Sequence, residues 1–360
     1  MTRVLVTGGG GFVGSNLALG MADAHPDWEV LALDNLKRRG SELSVARLDA
    51  GGVRFIHGDV RNAEDIEAVG PVSWLIECSA EPSVHAGYDG DPGYLVNTNL
   101  NGAFNCMEHL RRHGGNMIFL STSRVYPIAG LRALPLEVDG GERFRISPGA
   151  TGTGWSESGI SESFPLDGPR SLYGTTKLAA ELMIGEYGAL YGLKAVINRC
   201  GVLCGPWQMG KIDQGFVALW LARHIFGGDL SYIGYEGAGH QVRDILHVAD
   251  LGRLIETEMA EIDRLSGNVY NVGGGAALSL SLQQLTGYCA ELTGGRIEIG
   301  SNPETRDADI PYYVTDNSAV SADTGWAPSH ALDDTLADIH RWLGEHRATL
   351  EPLFAAEGAS

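Results

Sequence analysis

The stretch TGGGGFVGSNLA, Thr7 to Ala18, follows the apolar run RVLVT at 3–7 and leads into a helical pattern. Its glycines at 8, 11 and 14 give a GxxGxxG spacing. Glycine permits a tight turn and lets an anion approach the N–H groups at a helix N-terminus, where the helix dipole also favours negative charge. A strand, a glycine turn and a helix in this order predict a phosphate-binding turn.

Further apolar runs rich in Val, Ile and Leu alternate with helical patterns after this turn. They are EVLAL (29–33), VRFIH (53–57), SWLIEC (73–78), NMIFLS (116–121) and KAVINR (194–199). Repeated βα units predict an α/β fold with a doubly wound parallel sheet, a Rossmann fold. After about Pro206 the pattern is less regular, with helices predicted at 213–226, 247–260, 281–293 and 331–346.

This change of pattern divides the chain. We predict a Rossmann domain at 1–205, to which 240–275 return, and a smaller α/β C-terminal substrate lobe formed by 206–239 and 276–346. We expect 347–360 to be a frayed tail. A run of 46 residues separates Tyr126 from Tyr173 without clear periodicity. Loops this long are usually functional, so we expect the 127–170 segment to help choose the substrate.

Composition excludes several classes of function. The chain has 26 basic and 45 acidic residues, a net charge of -19, which argues against nucleic acid as a partner. The apolar stretch at 216–226 is too short to span a bilayer, and the first residues lack the pattern of a secretory signal, so we expect no membrane association. Five scattered cysteines fit a reducing compartment, and we predict a cytoplasmic protein. Cys200 and Cys204 have no second ligand pair at zinc spacing, so we predict no metal.

Acidic residues at strand ends indicate the cofactor. Asp34 closes EVLALD about 20 residues after the glycine turn, where a carboxylate accepts hydrogen bonds from a ribose and repels a 2'-phosphate. This favours NAD over NADP, although the basic residues at 37–39 leave NADP open. Asp59, in GDVRN, can accept from an adenine amino group or cap a helix. Ser79 and Ala80 are small residues where a cofactor can pass the end of a strand.

The candidate reaction centre combines FLSTSRVY at 119–126 with SLYGTTK at 171–177. Tyr173 and Lys177 are four residues apart and share one helix face. Lowering a phenol pKa of about 10 by three units takes about 4 kcal/mol, and a nearby ammonium and an oxidised nicotinamide can supply it. Thr122 can bind the substrate oxygen. The YxxxK pattern alone also fits a solvated pair on a surface helix, but its place after the glycine turn, Asp34 and the STS strand end favours proton transfer.

With these motifs the chain resembles the extended short-chain dehydrogenase/reductases that act on nucleotide sugars. The resemblance rests on TGGGGFVG, LDN, GDV, NTNLNG, STSRVY, YGTTK, VRDILHVADL and NVYNVGG, and covers residues 3–346. It implies Tyr173 as base, Lys177 as the residue that orients the nicotinamide ribose, and Thr122 as the ligand of the reacting oxygen. The cofactor residues it implies are Gly8, Gly11, Phe12, Val13, Gly14, Asp34, Asn35, Asp59, Val60, Ser79, Ala80, Asn99, Tyr173, Lys177 and Cys200.

The resemblance also implies a substrate, a nucleotide-diphosphate sugar. Arg243 matches an arginine that pairs with the diphosphate, and Ser123 and Arg124 are further substrate candidates. Dehydratases of this family carry an acidic pair where Ser123 and Arg124 stand. Val202 departs from the asparagine that is usual in 4-epimerases.

The segments RCGVLCGPWQMGKIDQGF and GYEGAGHQVRDILHVADL resemble a branch that epimerises C2 of CDP-activated sugars. Glu81 departs from the neutral residue expected there. The implied reaction is transient oxidation to a keto sugar and hydride return to its other face. Alternatives are a 4-epimerase, a decarboxylase, a reductase or a non-catalytic NAD sensor. The family implies a homodimer or homotetramer formed through 94–112 and 175–191.

Overall fold

The computed structural model describes residues 1–85, 88, 91–210 and 214–355. In chain order the strands are β1 (Arg3–Thr7), β2 (Glu29–Asp34), β3 (Arg54–His57), β4 (Trp74–Glu77), β5 (Asn116–Thr122), β6 (Leu136–Asp139), β7 (Arg143–Ile146), β8 (Trp155–Ser156), β9 (Gly159–Ile160), β10 (Ala195–Cys200), β11 (Val202–Cys204), β12 (Leu230–Ile233), β13 (Val242–His247), β14 (Val269–Val272), β15 (Ser279–Ser281), β16 (Ile299–Asn302) and β17 (Tyr312–Tyr313).

The helices are α1 (Phe12–Ala24), α2 (Leu43–Ala50), α3 (Ala63–Glu67), α4 (Gly93–Val96), α5 (Gly102–His113), α6 (Ile128–Arg132), α7 (Leu172–Tyr191), α8 (Phe216–Phe226), α9 (Val248–Ala260), α10 (Ile262–Leu265), α11 (Leu282–Thr293), α12 (Ser318–Thr324), α13 (Leu332–Glu345) and α14 (Arg347–Ala355). A π-helical turn, Asn97–Asn101, joins α4 to α5. None of the described helices is both long and apolar enough to cross a membrane.

A seven-stranded sheet in the order β14-β10-β5-β4-β1-β2-β3 forms the centre of the molecule, and all its pairings are parallel. The predicted α/β fold with a doubly wound sheet is confirmed. The six apolar runs identified in the sequence coincide with six of these strands. They form strands because a parallel sheet is covered by helices on both faces, which requires apolar side chains at successive positions.

Two apolar clusters cover the faces of this sheet. Residues of α1 and α9, among them Leu17 and Leu254, pack with one face. Residues of α5 and α7, among them Met107 and Ile184, pack with the other. The helices on both faces leave the carboxyl edge of the strands as the place where a ligand can enter.

The remaining strands form smaller sheets. β13 pairs in parallel with β11 and β17 and antiparallel with β15, while β12 pairs with β16. Helices α8, α11, α13 and α14 share one apolar cluster with this part of the chain. Within 240–275, β14 joins the large sheet and α9 packs on it, whereas β13 lies in the smaller mixed sheet. Gly201 separates β11 from β10, so the chain leaves the large sheet at that point.

The segment 127–170 is built from short elements and is not a plain loop. It contains α6 and the hairpins β6–β7 and β8–β9. The amide of Ile160 donates to the carbonyl of Val314 at 2.7 Å, and Phe164 packs edge-on against Tyr126 with ring centroids 5.5 Å apart. The segment therefore fastens the end of β5 to the region around β17.

The expectation of a frayed tail from 347 is wrong for residues 347–355, which form α14. Leu350 and Phe354 are buried, and the Phe354 ring lies 6.3 Å from that of Phe226 on α8. Apolar burial against α8 holds this helix in place, although it contains Pro352. Residues 356–360 lie outside the described part of the chain.

We expect Phe354→Ala to destabilise the protein by about 3 kcal/mol, because it empties a buried aromatic position. Thr349→Ala, an exposed position of the same helix, is the matched control and should change the free energy of unfolding by less than about 0.5 kcal/mol. Equilibrium denaturation of the three proteins measures both values. Equal stability of wild type and Phe354→Ala would mean that α14 is not part of the folded unit.

Candidate active site

A cavity of about 460 Å³ opens at the carboxyl edge of the large sheet. Its walls come from the glycine turn after β1, the end of β5, the start of α7, and residues of the smaller sheets. It therefore lies where an open α/β sheet binds its ligands. None of residues 127–170, all of which are described, lines it, so the expectation that this segment chooses the substrate by contact is not supported.

The glycine turn forms one end of the cavity, with Gly8, Gly11, Phe12, Val13 and Gly14 in its wall. Gly8 has φ +64°, and a Cβ on it would lie 2.8 Å from the carbonyl oxygen of Cys78. A Cβ on Gly14 would lie 2.3 Å from the carbonyl oxygen of Gly8. No side chain caps the N-terminus of α1. The turn thus leaves backbone N–H groups open to the cavity, which fits a dinucleotide diphosphate.

Asp34 stabilises this turn through hydrogen bonds to its backbone. Its carboxylate accepts from the amide of Gly10 at 3.0 Å and from that of Leu36 at 2.7 Å. Burial raises the pKa of Asp34, and these amide hydrogen bonds oppose the rise. Asp34 lies beside the cavity and outside its lining.

The basic residues after Asp34 are largely engaged elsewhere. The Lys37 Nζ lies 3.0 Å from the centroid of the Tyr94 ring. Arg38 donates to the carbonyl of Met209 at 3.1 Å and also to Gln214. Arg38 and Arg39 both line the cavity. Of these three basic side chains, Lys37 and Arg38 are therefore held by contacts within the protein.

The predicted adenine and ribose residues form a cluster next to Asp34. Asn35 donates to Asp59 at 2.9 Å, and Arg61 forms an ion pair with Asp59 at 2.6 Å. The hydrogen bond from Arg61 lowers the pKa of Asp59 to about 2. Val60 is buried. None of Asn35, Asp59 and Val60 lines the cavity, and their roles toward a cofactor stay a prediction.

Thr122, Tyr173 and Lys177 all line the cavity. Thr122 ends β5, and Ser171 caps α7 by accepting from the amide of Gly174 at 3.2 Å, which places Tyr173 in the first turn. A Cβ on Gly174 would lie 2.0 Å from the carbonyl oxygen of Arg124. The glycine in SLYGTTK therefore lets the start of α7 approach the end of β5 closely.

Burial raises the pKa of Tyr173, and the charge of Lys177 and an interaction with Thr122 oppose the rise. The charge of Lys177 therefore opposes the effect of burial on this phenol without reversing it. Cys200 also lines the cavity, and burial raises the pKa of its thiol to about 12, so it is not a nucleophile at neutral pH.

Sequence reasoning missed the residue that faces Lys177. The Lys177 Nζ donates to Glu77 at 3.1 Å and to the carbonyl of Ser79 at 3.5 Å. Burial lowers the pKa of Lys177, but attraction to nearby acidic groups, Glu77 first among them, outweighs it and the net shift is upward. The signal in the sequence was a lone acid at the end of the apolar run SWLIEC.

Of the other predicted cofactor residues, Asn99 is buried among structural hydrogen bonds, whereas Ala80 lies at the cavity wall. Asn99 is buried, accepts from the amide of Glu81 at 2.8 Å and donates to the carbonyl of Glu81 at 3.1 Å. It also donates to Thr176 at 3.3 Å, so it fixes the chain after β4 to α7. Ala80 lines the cavity. Ser79 is buried and contributes its carbonyl to Lys177.

The predicted substrate residues Ser123, Arg124 and Arg243 line the cavity. Arg124 donates to the carbonyl of Ala308 at 3.2 Å, and Arg243 donates to that of Ile310 at 2.8 Å. Within the described part of the chain neither arginine has a carboxylate within 4 Å. Burial and, to a smaller extent, repulsion from the charge of Arg124 lower the pKa of Arg243 to about 9. Asp309 acts on both arginines through its charge without pairing with either, and guanidinium groups that lack a paired carboxylate suit an anionic ligand.

Two charged residues of the cavity were not identified from the sequence. Arg306 and Asp309 both line it and form an ion pair at 3.1 Å. Among the described residues, the one group of side chains spaced to hold a metal ion, Glu67, His109 and His113, contributes nothing to the cavity lining.

Comparisons with known proteins agree with this geometry. The model of the NAD dependent epimerase/dehydratase family matches residues 4–273. The CDP-paratose 2-epimerase of Salmonella typhi is 28% identical over 352 residues, covering 94% of this chain and 98% of that protein. The dTDP-glucose 4,6-dehydratase of Streptomyces griseus is 28% identical over 361 residues, covering 99% and 98%.

A solved structure of a related enzyme has the same fold. The dTDP-glucose 4,6-dehydratase of Streptomyces venezuelae, solved with NAD bound, superposes with a TM-score of 0.77 at 28% identity, covering 98% of this chain and all of that one.

We expect the protein to bind NAD at least tenfold more tightly than NADP, because the Asp34 carboxylate repels a 2'-phosphate. Asp34→Asn removes this charge and should reduce the ratio of the two dissociation constants by about tenfold, or about 1.4 kcal/mol. Lys37→Ala is the control and should leave the ratio unchanged, because Lys37 lies on Tyr94. Calorimetric titration measures each constant, and equal affinities for both cofactors in the wild type would contradict the role of Asp34.

Proposed function

The chain belongs to the NAD dependent epimerase/dehydratase family, and from this premise we propose that it epimerises C2 of a CDP-activated sugar. NAD dependence and action on carbohydrates follow from the family and its members. The observation that carries the proposal is the junction of Thr122, Tyr173 and Lys177 with two arginines in one cavity. The threonine, tyrosine and lysine suit proton transfer at a hydroxyl, and the arginines suit a diphosphate.

Tyr173 removes the proton of the sugar hydroxyl, and Thr122 donates a hydrogen bond to the same oxygen. Lys177 favours the phenolate through its charge. When bound, NAD supplies a reversible hydride acceptor, and its oxidised ring adds positive charge to the site. Arg243 and Arg124 hold the diphosphate, so the sugar ring can present its other face while the nucleotide stays in place. The reaction has no net redox change.

The cavity lining favours epimerisation over dehydration, because it offers few carboxyl groups for a second proton transfer. Elimination of water needs a second proton donor and acceptor besides the tyrosine. Among the described lining residues, Asp309 is the only carboxylate, and it is paired with Arg306. Ser123 and Arg124 follow Thr122, where neither offers a carboxyl group. Similarity to the CDP-paratose 2-epimerase supports the choice of C2 and of cytidine.

The test is conversion of CDP-, UDP- and dTDP-sugars in deuterated water, with products identified by NMR. We expect a C2 epimer from the CDP-sugar and no solvent deuterium at the inverted carbon, because the hydride returns without exchange. Tyr173→Phe should lower the rate on the order of 100-fold or more. Tyr288→Phe, at an exposed position outside the cavity lining, is the matched control and should keep the wild-type rate.

Other products would redirect the proposal. Deuterium at the inverted carbon would replace hydride return with enolisation. A 4-keto-6-deoxy product would indicate a dehydratase, the activity named for the Streptomyces griseus protein. Net consumption of NADH would indicate a reductase.

We also infer that the enzyme is a homodimer that works in the cytoplasm. Neighbouring helices α5 and α7 expose large apolar side chains, among them Phe104, Leu182, Leu190 and Tyr191. Leu182 and Leu190 are 67% and 68% exposed, which is unusual for leucines on adjoining helices of so acidic a chain. A second copy presenting the same face would bury them symmetrically. All five cysteines are free thiols, which fits a reducing compartment.

We expect light scattering to give twice the 38.4 kDa of one chain. Leu182→Asp together with Leu190→Asp should shift the protein to the monomer, because four charges would meet in the dimer interface. Leu172→Asp, an exposed position at the start of α7, is the control. A wild type that is monomeric at micromolar concentration would contradict the interface.

A further inference from the structure

A buried carboxylate faces the lysine of the reaction centre. Glu77, the last residue of β4, is 1% exposed, and Lys177 on α7 is 2% exposed. The Lys177 Nζ lies 3.1 Å from Glu77 Oε2, while its second contact is the carbonyl of Ser79 at 3.5 Å. Among the described residues, Glu77 is the only acid within 4 Å of this ammonium.

The other groups around Lys177 supply no compensating charge. The Phe119 ring on β5 lies with its centroid 4.4 Å from Nζ. Cys78, which follows β4, is partly buried, and Cys106 on α5 and Cys200 on β10 are buried. All three are thiols that stay protonated at neutral pH, because desolvation raises their pKa values. Tyr173 is neutral until it acts as base, and Arg124 is a further cation.

A lone ammonium in such a place does not keep its charge. Removing a lysine from water without a partner favours the neutral amine, and buried lysines have been found with pKa values of about 5 to 6. A neutral amine neither attracts a phenolate through its charge nor offers the three N–H donors of an ammonium group.

We propose that Glu77 is the counter-ion that keeps Lys177 charged and positioned inside the protein. It is a positioning residue, since it acts on the reaction through the lysine. The pair is neutral as a whole, so it can remain buried before any ligand binds. The consequence for catalysis rests on the proposed function: Glu77 maintains the positive charge that supports the Tyr173 phenolate.

The chain has four lysines, at 37, 177, 194 and 211, so the charge of Lys177 can be measured directly. Protein labelled with ε-13C lysine gives four signals, and the signal missing in Lys177→Arg identifies residue 177. In the wild type we expect this signal to titrate above the ordinary pKa of about 10.4. In Glu77→Gln we expect the midpoint to fall by about two units or more, because burial remains and the anion is gone.

The matched control is Glu181→Gln, which removes a buried acid one turn further along α7. Glu181 pairs with Arg199 at 2.7 Å, so its loss should leave the Lys177 midpoint unchanged. Glu77→Asp keeps a carboxylate at a greater distance and should lower the midpoint by less than Glu77→Gln. A midpoint below about 9 for this signal in the wild type would overturn the proposal. So would a midpoint in folded Glu77→Gln equal to that of the wild type.

A second measurement links the pair to catalysis. Glu77→Gln should lose activity at a lower pH than the wild type on the alkaline side, where Lys177 deprotonates. A merely structural role would lower the rate at every pH and leave that midpoint in place. If no sugar is epimerised, the proposed function fails, while the lysine titration still decides the role of Glu77.

Discussion

A parallel sheet brings the carboxyl ends of its strands to one edge, and the groups of the site depend on this constraint. The register pairs Thr7 with Glu77, Glu77 with Phe119, and Thr122 with Cys200 across the adjacent strands β1, β4, β5 and β10. Residues nearly 200 positions apart in the sequence therefore meet. A shift of one residue in any of these pairings would turn the terminal side chain to the opposite face.

Buried ion pairs then fix the helix that carries the tyrosine. Lys177 and Glu181 lie one turn apart on α7 and point into the sheet, where Glu77 and Arg199 receive them. Burying such pairs costs desolvation energy unless further hydrogen bonds satisfy them. Arg199 meets this condition, since it contacts both oxygens of Glu181 and the hydroxyl of Tyr126 at 3.2 Å. The two pairs hold successive turns of α7, so Tyr173 has a defined position before any ligand binds.

Sequence patterns predicted the large sheet because strands buried on both faces are continuous apolar runs, and predicted the glycine turn because its steric demands leave no alternative residue. They failed where the determinant is a distant partner. Glu77 was interpreted only as the end of a strand, because its partner Lys177 is 100 positions away in the sequence. Helix α14 was missed because it lies at the end of the chain, contains Pro352, and is held by packing against α8 and α13 that local sequence does not show. The elements of 127–170 are too short to show a period.

The two arginines that we propose to bind the substrate lie in parts of the chain that belong to different sheets. Arg124 follows β5 of the large sheet, whereas Arg243 lies on β13 of the smaller one, and both donate to carbonyls of the same short stretch, Ala308 and Ile310. Carbonyl groups orient a guanidinium without neutralising it. The positive charge of the cavity is therefore local, in a chain whose net charge is -19, and it remains available to an anion. A diphosphate held by both arginines would connect the two sheets across the cavity, so recognition of the nucleotide and closure around the sugar are expected to be one event.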